Sequence, residues 1–436
     1  MSETPSTSAP GTATSDMDAA QAALPEALRA PTKRVSFGFI LMLCLANVAL
    51  WFSMQPVINY LLPKQIVAFD PVASHQGLYD GLILALGAFL SIFSNTIGGA
   101  LSDRTTSRFG RRVPWLIGCG ALGAGALALL ANASGIALLF VGYGLYQLVV
   151  NGALAALTAI VPDKAPERQR GLVSAFVGLA LPLAIVLGAI VVGLVVTDVR
   201  IGYYILAATL IVVMIIFSLT LRDPRLPREA VPPFRLGEFL RGFWLDPRKY
   251  PDFGWAWITR FLVNFGWNST LGSFLFLYLK NAVKVSNPQS SVAIVQIIAV
   301  AMILISSVVG GYLSDRLRRR KIFVMGSAGL IAIALLILAL VTSWMAVLVA
   351  AVIVGLGFGS YLAVDLALLT DVLPSASDRG KDMGVFNIAN ALPNALAPLV
   401  GGIFVATFGS FQPLFFMAAG VTLLAAILVQ PIKSVR

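Results

Sequence analysis

Long apolar runs alternate with short polar connections along most of the chain. A helix that spans a membrane needs about 20 mainly apolar residues, and twelve runs reach that length. The predicted spans are 36–62, 78–101, 114–132, 136–161, 171–197, 201–220, 254–279, 291–313, 322–343, 346–372, 383–408 and 412–431. The pattern predicts an all-α polytopic membrane protein with twelve transmembrane helices, divided six and six by the long connection at 221–253.

The composition supports a membrane environment. Of the 436 residues, 58% are hydrophobic and 12% are charged, and the mean hydropathy is +0.87. Soluble domains average about 45–50% apolar and about 25% charged residues. A water-soluble fold of this length would have to bury far more apolar surface than its core can hold, whereas lipid solvates that surface directly.

Two regions outside the spans differ from the rest. Residues 1–33 are rich in Ser, Thr, Ala and Pro, which predicts a disordered cytoplasmic tail and not a secretory signal. In the linker 221–253, aromatic and aliphatic residues at 234–244 are interspersed with Arg and Glu. That segment is either a short amphipathic helix on the inner membrane surface or an irregular linker. Six-helix bundles are accordingly predicted at 34–220 and 254–436.

The basic residues predict the orientation, because Lys and Arg concentrate in cytoplasmic loops. If the N-terminus is inside, nearly all of the 31 Lys and Arg residues fall on the cytoplasmic side. They lie in the tail, in the loops that follow even-numbered spans, in the linker and at the C-terminus. The exceptions are Lys64, Arg200, Lys280 and Lys284 outside and Arg260 within a span. Both termini are therefore predicted to be cytoplasmic, in the inner or plasma membrane. The net charge of +11 sits in short clusters between spans, so nucleic acid is not an expected partner.

A seven-residue word occurs twice. Gly-Gly-Ala-Leu-Ser-Asp-Arg at 98–104 ends the second span, and Gly-Gly-Tyr-Leu-Ser-Asp-Arg at 310–316 ends the eighth. Paired glycines permit close helix packing, and the Asp–Arg step places charges at the cytoplasmic interface, where ion pairs would hold one conformation closed. The alternative is an ordinary helix end followed by a basic cluster. The predicted gating residues are Gly99, Asp103, Arg104, Arg108, Gly110, Arg111, Arg112, Gly311, Asp315 and Arg316.

The duplicated word resembles the signature loop of the major facilitator superfamily. Its longer first copy, 102–114, is most similar to the loop of the glycoside–pentoside–hexuronide and sucrose transporters. The resemblance implies two pseudo-symmetric six-helix bundles with substrate between them, a sugar or glycoside substrate, and cation coupling. The acidic cation-binding pair of the melibiose branch would align with Ser91 and Asn95, so a sodium site of that kind is not expected. The charged pair of the sucrose branch falls near Gln147 and Thr158, so its proton mechanism does not carry over unchanged.

Polar side chains recur at helical spacing inside several spans. Such residues are costly in lipid and usually face the bundle interior or a water-filled cavity. The predicted substrate-binding residues are Asn47, Trp51, Gln55, Tyr143, Gln147, Asn151, Asn264, Trp267, Asn268, Tyr361, Asn387 and Asn390. Amide, phenol and indole groups suit a neutral polar ligand such as a sugar. The alternative is that they join helices through hydrogen bonds.

Three charged side chains inside the spans are candidates for proton coupling. Arg260 and Asp365 lie roughly 9–12 Å deep if the helix rises 1.5 Å per residue, and we expect them to pair. Asp365 would bind the proton and Arg260 would tune it; the alternative is a permanent structural ion pair. Asp80, near the outer start of the second span, is a second candidate that we expect to be interfacial.

The sequence lacks the residues that would indicate another class of function. The chain has one histidine, His75, and no phosphate-binding glycine loop, so neither an enzyme nor a metal site is expected. Cys44 and Cys119 fall in separate spans, so we expect no disulfide. The sequence predicts a monomeric, proton-coupled symporter of a sugar, glycoside or similar neutral solute without a cofactor. The alternative is a proton-antiporting exporter of drugs or metabolites.

Overall fold

The computed structural model describes residues 25–231, 251–269, 272–317, 319–372 and 379–432, with the side chains of 366–387 excepted. Within these ranges twelve helices follow one another along the chain. They are α1 (Phe37–Phe69), α2 (Ala73–Asp103), α3 (Val113–Ala131), α4 (Ile136–Lys164), α5 (Glu167–Val195), α6 (Val199–Thr220), α7 (Pro251–Asn268, resuming at Leu275–Tyr278 and Leu279–Val283), α8 (Pro288–Leu317), α9 (Arg320–Leu340), α10 (Trp344–Val372), α11 (Arg379–Phe408) and α12 (Gln412–Leu428).

Ten of these helices are long and apolar enough to cross a membrane by themselves. The 17-residue α12 is apolar but shorter, and α7 is interrupted after Asn268. The all-α polytopic prediction is confirmed. Most of the predicted tail and the proposed amphipathic segment at 234–244 lie outside the described residues, although a short 3-10 turn, Glu26–Leu28, precedes α1.

Helix packing repeats with a period of six helices. In the first half α1 contacts α5 and α6, α2 contacts α4, and α3 contacts α4 and α6. In the second half α7 contacts α11 and α12, α8 contacts α10, and α9 contacts α10 and α12. Each pair therefore recurs six helices later, which confirms the two pseudo-symmetric six-helix bundles. The bundles meet where α2 packs on α11 and α5 packs on α8, two contacts that the same repeat relates.

The glycines of the duplicated word bring helices together, but not the ones singled out in the sequence. A Cβ on Gly98 would lie 2.9 Å from the Cα of Gly152 in α4, whereas one on Gly99 meets only Ala155 at 3.8 Å. In the second bundle a Cβ on Gly310 would lie 3.0 Å from Ser360. The first glycine of each pair thus permits the close approach, because it faces the neighbouring helix backbone.

The two faces of the molecule differ in how the bundles meet. We call the face with the α2–α3, α4–α5 and α8–α9 connections the basic face, and the other the opposite face. Near the opposite face, a Cβ on Gly81 would lie 2.3 Å from the carbonyl oxygen of Pro398 and 2.9 Å from the Cα of Gly402. Gly77 packs as closely on Val405. The backbones of α2 and α11 therefore touch there.

Hydrogen bonds reinforce this contact between the bundles. Tyr60 Oη donates to Gln296 Oε1 at 2.6 Å, and Lys64 Nζ donates to Gln289 Oε1 at 2.6 Å. Asn281 Nδ2 donates to Gln76 Oε1 at 3.0 Å. We call the layer formed by Tyr60, Lys64, Gln76, Asn281, Gln289 and Gln296 the opposite-face gate. In this conformation the gate is closed.

Candidate functional site

A central cavity of about 360 Å³ lies between the bundles, directly beneath the opposite-face gate. Eight helices contribute to its wall, namely α1, α2, α4 and α5 from the first bundle and α7, α8, α10 and α11 from the second. Two residues of the wall lie one or two helical turns from gate residues: Gln55 precedes Tyr60 in α1, and Leu84 follows Gln76 in α2. The gate thus separates the cavity from the opposite face.

Seven of the predicted substrate-binding residues line this cavity. They are Trp51, Gln55, Tyr143, Gln147, Asn151, Trp267 and Asn268. Asn47 is buried elsewhere in α1 and donates to the Leu43 carbonyl at 2.8 Å, and Asn264 donates to the Arg260 carbonyl at 2.9 Å. Both amides face their own helix backbone, which helical spacing alone does not show.

The remaining three predicted residues lie outside the wall or outside the description. Tyr361 is buried, with 1% of its surface exposed, behind the wall of α10. Asn390 is an exposed residue of α11, and Asn394, one turn further on, lines the cavity in its place. The side chain of Asn387 lies outside the described residues.

The first bundle supplies a hydrogen-bonded wall. Gln147 Nε2 donates to Tyr143 Oη at 2.7 Å, and Asn151 Nδ2 donates to Gln147 Oε1 at 2.9 Å. These three side chains of α4 therefore hold one another in place along the cavity. Gln55 of α1 adds a further amide to the same lining.

The second bundle supplies an aromatic wall that leads to an ion pair. Trp267 of α7 stacks on Phe358 of α10, with ring centroids 4.3 Å apart and planes 7° apart. Phe358 in turn stacks on Tyr361 at 6.1 Å. Tyr361 Oη donates to Asp365 Oδ1 at 2.8 Å, and the other carboxylate oxygen accepts from Arg260 Nη1. A continuous set of contacts thus runs from the cavity to the predicted coupling pair.

Several wall residues were not among the predicted substrate-binding residues. They are Asn59, Ser91, Ser273, Gln296, Phe358 and Asn394. Asn59 continues the four-residue spacing of Trp51 and Gln55, so a longer reading of that stripe would have included it. Gln296 has a polar neighbour at helical spacing in α8, since Gln289 lies seven residues before it, so this pair was a signal that the prediction did not use.

Asp80, expected near the membrane interface, is enclosed by the protein. Its side chain has 0% of its surface exposed, and neither carboxyl oxygen has a hydrogen-bond partner among the described residues. The turn that carries Asp80 is tightly packed, because Gly77 and Gly81 admit α11 at backbone distance. The sequence could not show which helix covers this turn.

On the basic face, Arg112 is the centre of an ion-pair network. Its guanidinium contacts Asp103 at 2.5 Å and Asp163 at 3.0 Å, and it donates to Ser102 Oγ at 2.9 Å. Arg111 contacts the same Asp163 at 3.1 Å. The network ties the end of α2 to the end of α4 within the first bundle.

The loop between α2 and α3 depends on a glycine and on an acidic residue that the sequence did not mark. Gly110 has φ +97°, and a Cβ there would lie 2.3 Å from the Asp223 carboxyl carbon. Asp223 accepts from the backbone nitrogens of Arg112 and Val113 at 2.5 and 3.2 Å, and so caps the start of α3.

The other predicted gating residues have local roles or lie at the surface. Arg104 donates to the Ala100 carbonyl at 2.8 Å, and the Arg108 guanidinium lies 4.7 Å from the centre of the Phe109 ring. In the second copy of the word, Asp315 and Arg316 are exposed.

Known transporters share this architecture. The chain aligns with a solved nucleoside transporter, NupG, at a TM-score of 0.69 and 16% identity, covering 91% of this chain and 99% of the other. A peptide transporter, POT, solved with sulfate aligns at 0.70 and 18% identity, covering 95% and 97%. A bacterial homologue of the human lysosomal transporter Spinster, in an inward-facing and occupied conformation, aligns at 0.65 and 16% identity, covering 89% and 93%. At these identities the likeness concerns the fold.

Sequence comparison identifies the family. A protein named triacylglyceride transporter from Mycobacteroides abscessus is 37% identical over 120 residues, which is 28% of this chain and 23% of that protein. The family model of the Major Facilitator Superfamily matches residues 79–308 and 286–434, most of the chain. The protein is therefore a membrane transporter, and it belongs to the Major Facilitator Superfamily.

Proposed function

We propose that this chain is a proton-coupled symporter of a sugar, glycoside or similar neutral polar solute. It works as a monomer by alternating access in the cytoplasmic membrane, with both termini in the cytoplasm. The observation that carries the proposal is the cavity between the bundles, where an amide wall faces an aromatic wall. Proteins commonly fix a ligand with a few polar groups in a largely apolar pocket.

The lining favours an uncharged solute. None of the described residues of the cavity wall carries a formal charge, so a charged ligand would be desolvated without a counter-charge. The amides of Gln55, Gln147 and Asn151 offer donors and acceptors to hydroxyl groups. Trp267 presents an indole beside them, and aromatic rings pack against the apolar faces of sugars.

The coupling step is assigned to Asp365. Protonation would remove its negative charge, weaken the pair with Arg260 and alter the bond with Tyr361. Because Tyr361 stacks on Phe358, and Phe358 on Trp267, the change would reach the cavity wall through direct contacts. The proton and the solute would then bias the same side chains, as coupling between two sites requires.

Closure at the opposite face supports alternating access. The gate holds the bundles together there through side chains of α1, α2, α7 and α8. With cytoplasmic termini, this arrangement would be an inward-facing conformation. Outward opening would break the gate bonds and separate α2 from α11.

An exporter of amphipathic molecules is the second candidate. Most wall residues are apolar, and Met54, Ile58 and Ile303 are among them. The partial match to a protein named triacylglyceride transporter favours a lipid-like solute. An exporter of this kind would exchange its cargo for protons instead of moving both in one direction.

Uptake into proteoliposomes tests the proposal. We expect a panel of radiolabelled sugars and glycosides to include one that accumulates when an inward proton gradient is imposed. Asp365→Asn should abolish accumulation and preserve exchange of the same solute across the membrane. Asp198→Asn, which removes an exposed carboxyl on the opposite face, is the matched control and should accumulate normally. Undiminished accumulation by Asp365→Asn would refute the assignment.

A further inference from the structure

Asp80 occupies a position between the gate and the cavity. Gln76, one turn before it in α2, belongs to the opposite-face gate, and Leu84, one turn after it, lines the cavity. At 1.5 Å per residue, the carboxyl-bearing turn is about 6 Å from each along the helix axis. The coupling pair of Arg260 and Asp365 lies in the other bundle.

The surroundings of Asp80 provide no counter-charge among the described residues. The titratable group nearest to it on α4 is Tyr143, whose hydroxyl accepts a hydrogen bond from Gln147. Lys64 of α1 donates instead to Gln289 and to the Thr197 carbonyl. The part of α11 that packs on α2, residues 388–408, contains no titratable side chain. On α2 itself, Tyr79 is adjacent in sequence and His75 pairs with Asp70 at 3.2 Å.

Asp80 is fully buried, and closure of the bundles packs α11 against the turn that carries it. Gly77 and Gly81 lie on one face of α2, and their Cβ positions would be 2.6 Å from Val405 and 2.3 Å from Pro398, so α11 covers that face of the turn. An ionised carboxylate held in such a place without a partner is strongly destabilised, because burial removes its hydration. A protonated carboxyl avoids most of that cost.

We propose that Asp80 is a second proton-binding site, occupied when the opposite-face gate is closed and vacated to water when α2 and α11 separate. The proposal rests on alternating access, the mechanism proposed above, but not on the identity of the solute. The proton passes between Asp80 and the water that reaches it from the opposite face, so no further reactant is needed. Acidification on that side favours closure.

Linkage fixes the sign and the size of the effect. The closed state binds one more proton at this site than the open state does. In the pH range between the ionisation of Asp80 in the two states, the open-to-closed ratio rises by up to about tenfold per pH unit. Below that range the ratio no longer depends on Asp80.

Distance measurement by pulsed electron paramagnetic resonance tests the proposal without a substrate. Spin labels are attached at Val72→Cys and Ser286→Cys, two exposed positions in opposite bundles on the opposite face. The full chain carries Cys44→Ser and Cys119→Ser to remove native thiols. It also carries Asp365→Asn, so that the proposed coupling residue does not titrate. Samples in lipid nanodiscs are compared from about pH 4 to about pH 9, which brackets the carboxyl range.

We expect the population with the longer distance between the two spin labels to grow as the pH rises. The Asp80→Asn variant should keep the short distance over the whole pH range. Asp198→Asn, the loss of an exposed carboxyl on the same face, should keep the pH response. The proposal is overturned if the background chain shows no pH response, or if Asp80→Asn responds as the background does. Should Asp80→Asn not fold, Asp80→Ser removes the same charge. Because no solute is added, failed sugar uptake would contradict the proposed substrate without affecting this result.

Discussion

Gly81→Ala is predicted to push the equilibrium away from the conformation described here. The added Cβ would lie 2.3 Å from the carbonyl oxygen of Pro398 and 2.9 Å from the Cα of Gly402. Both are backbone atoms of α11, so no side-chain rotation can relieve the overlap. The contact exists only while the bundles meet at the opposite face, and its cost therefore falls on the closed state.

The size of the shift follows from the cost of overpacking. Inserting a methyl group into a well-packed contact typically costs about 1–3 kcal/mol. If this cost is confined to the closed conformation, the open-to-closed ratio rises about 5- to 150-fold. The lower end applies if α11 slides slightly along its own axis.

Thiol labelling measures this ratio. Ser91 lines the cavity, so Ser91→Cys in a Cys44→Ser and Cys119→Ser chain reports access to it. A membrane-impermeant maleimide added on the opposite face should react faster in Gly81→Ala by the same factor.

Gly98→Ala is the matched control for this variant. Its Cβ would lie 2.9 Å from the Cα of Gly152, but both residues belong to the first bundle. This overlap persists in either conformation, so it should lower the melting temperature and leave the labelling rate nearly unchanged. Equal labelling rates in Gly81→Ala and the parent, in folded protein, would refute the reasoning that α2 and α11 separate.

Two further predictions concern the basic face and the cavity. Arg112→Ala should lower the free energy of unfolding by about 1–3 kcal/mol, because it leaves charge-assisted hydrogen bonds of a buried network unmade. Arg108→Ala, at an exposed position, should change the free energy of unfolding by less than about 1 kcal/mol. Thermal unfolding in detergent checks both variants, and equal losses of stability would contradict the network. Trp267→Ala should weaken solute binding about 2- to 12-fold, which corresponds to the free energy of one aromatic contact. Trp257→Ala, away from the cavity, should leave solute binding unchanged. A scintillation proximity binding assay distinguishes the two variants, and equal effects on binding would contradict the aromatic wall.

The sequence predicted the features that repeat along one helix. Span number follows from run length, and the pairing of Arg260 with Asp365 follows from their similar depth in helices that run in opposite directions. The stripe of Tyr143, Gln147 and Asn151 on α4 faces the cavity as its spacing indicated. Each of these features depends on the period of the helix and on the cost of polar groups in lipid.

Features that depend on contacts between helices were not predictable in this way. Asp80 lies near the start of its span, and its full burial depends on the helices that pack around it. Asn47 lies on a polar stripe, yet its amide is satisfied by its own helix at the Leu43 carbonyl. Gln296 joins the cavity and the gate because it accepts a hydrogen bond from Tyr60 in the other bundle. For Asp80 and Gln296 the deciding contacts are with residues distant in sequence, whereas for Asn47 the spacing does not show that the amide turns back to its own helix.

The most direct test of the central claim is the sign of proton movement that accompanies solute transport. Proteoliposomes loaded with a pH-sensitive dye receive, without any imposed gradient, a neutral sugar that the uptake panel has identified. A proton symporter predicts acidification of the lumen on sugar addition and no acidification in Asp365→Asn. Alkalinisation of the lumen would indicate antiport, and solute entry without any pH change would contradict proton coupling.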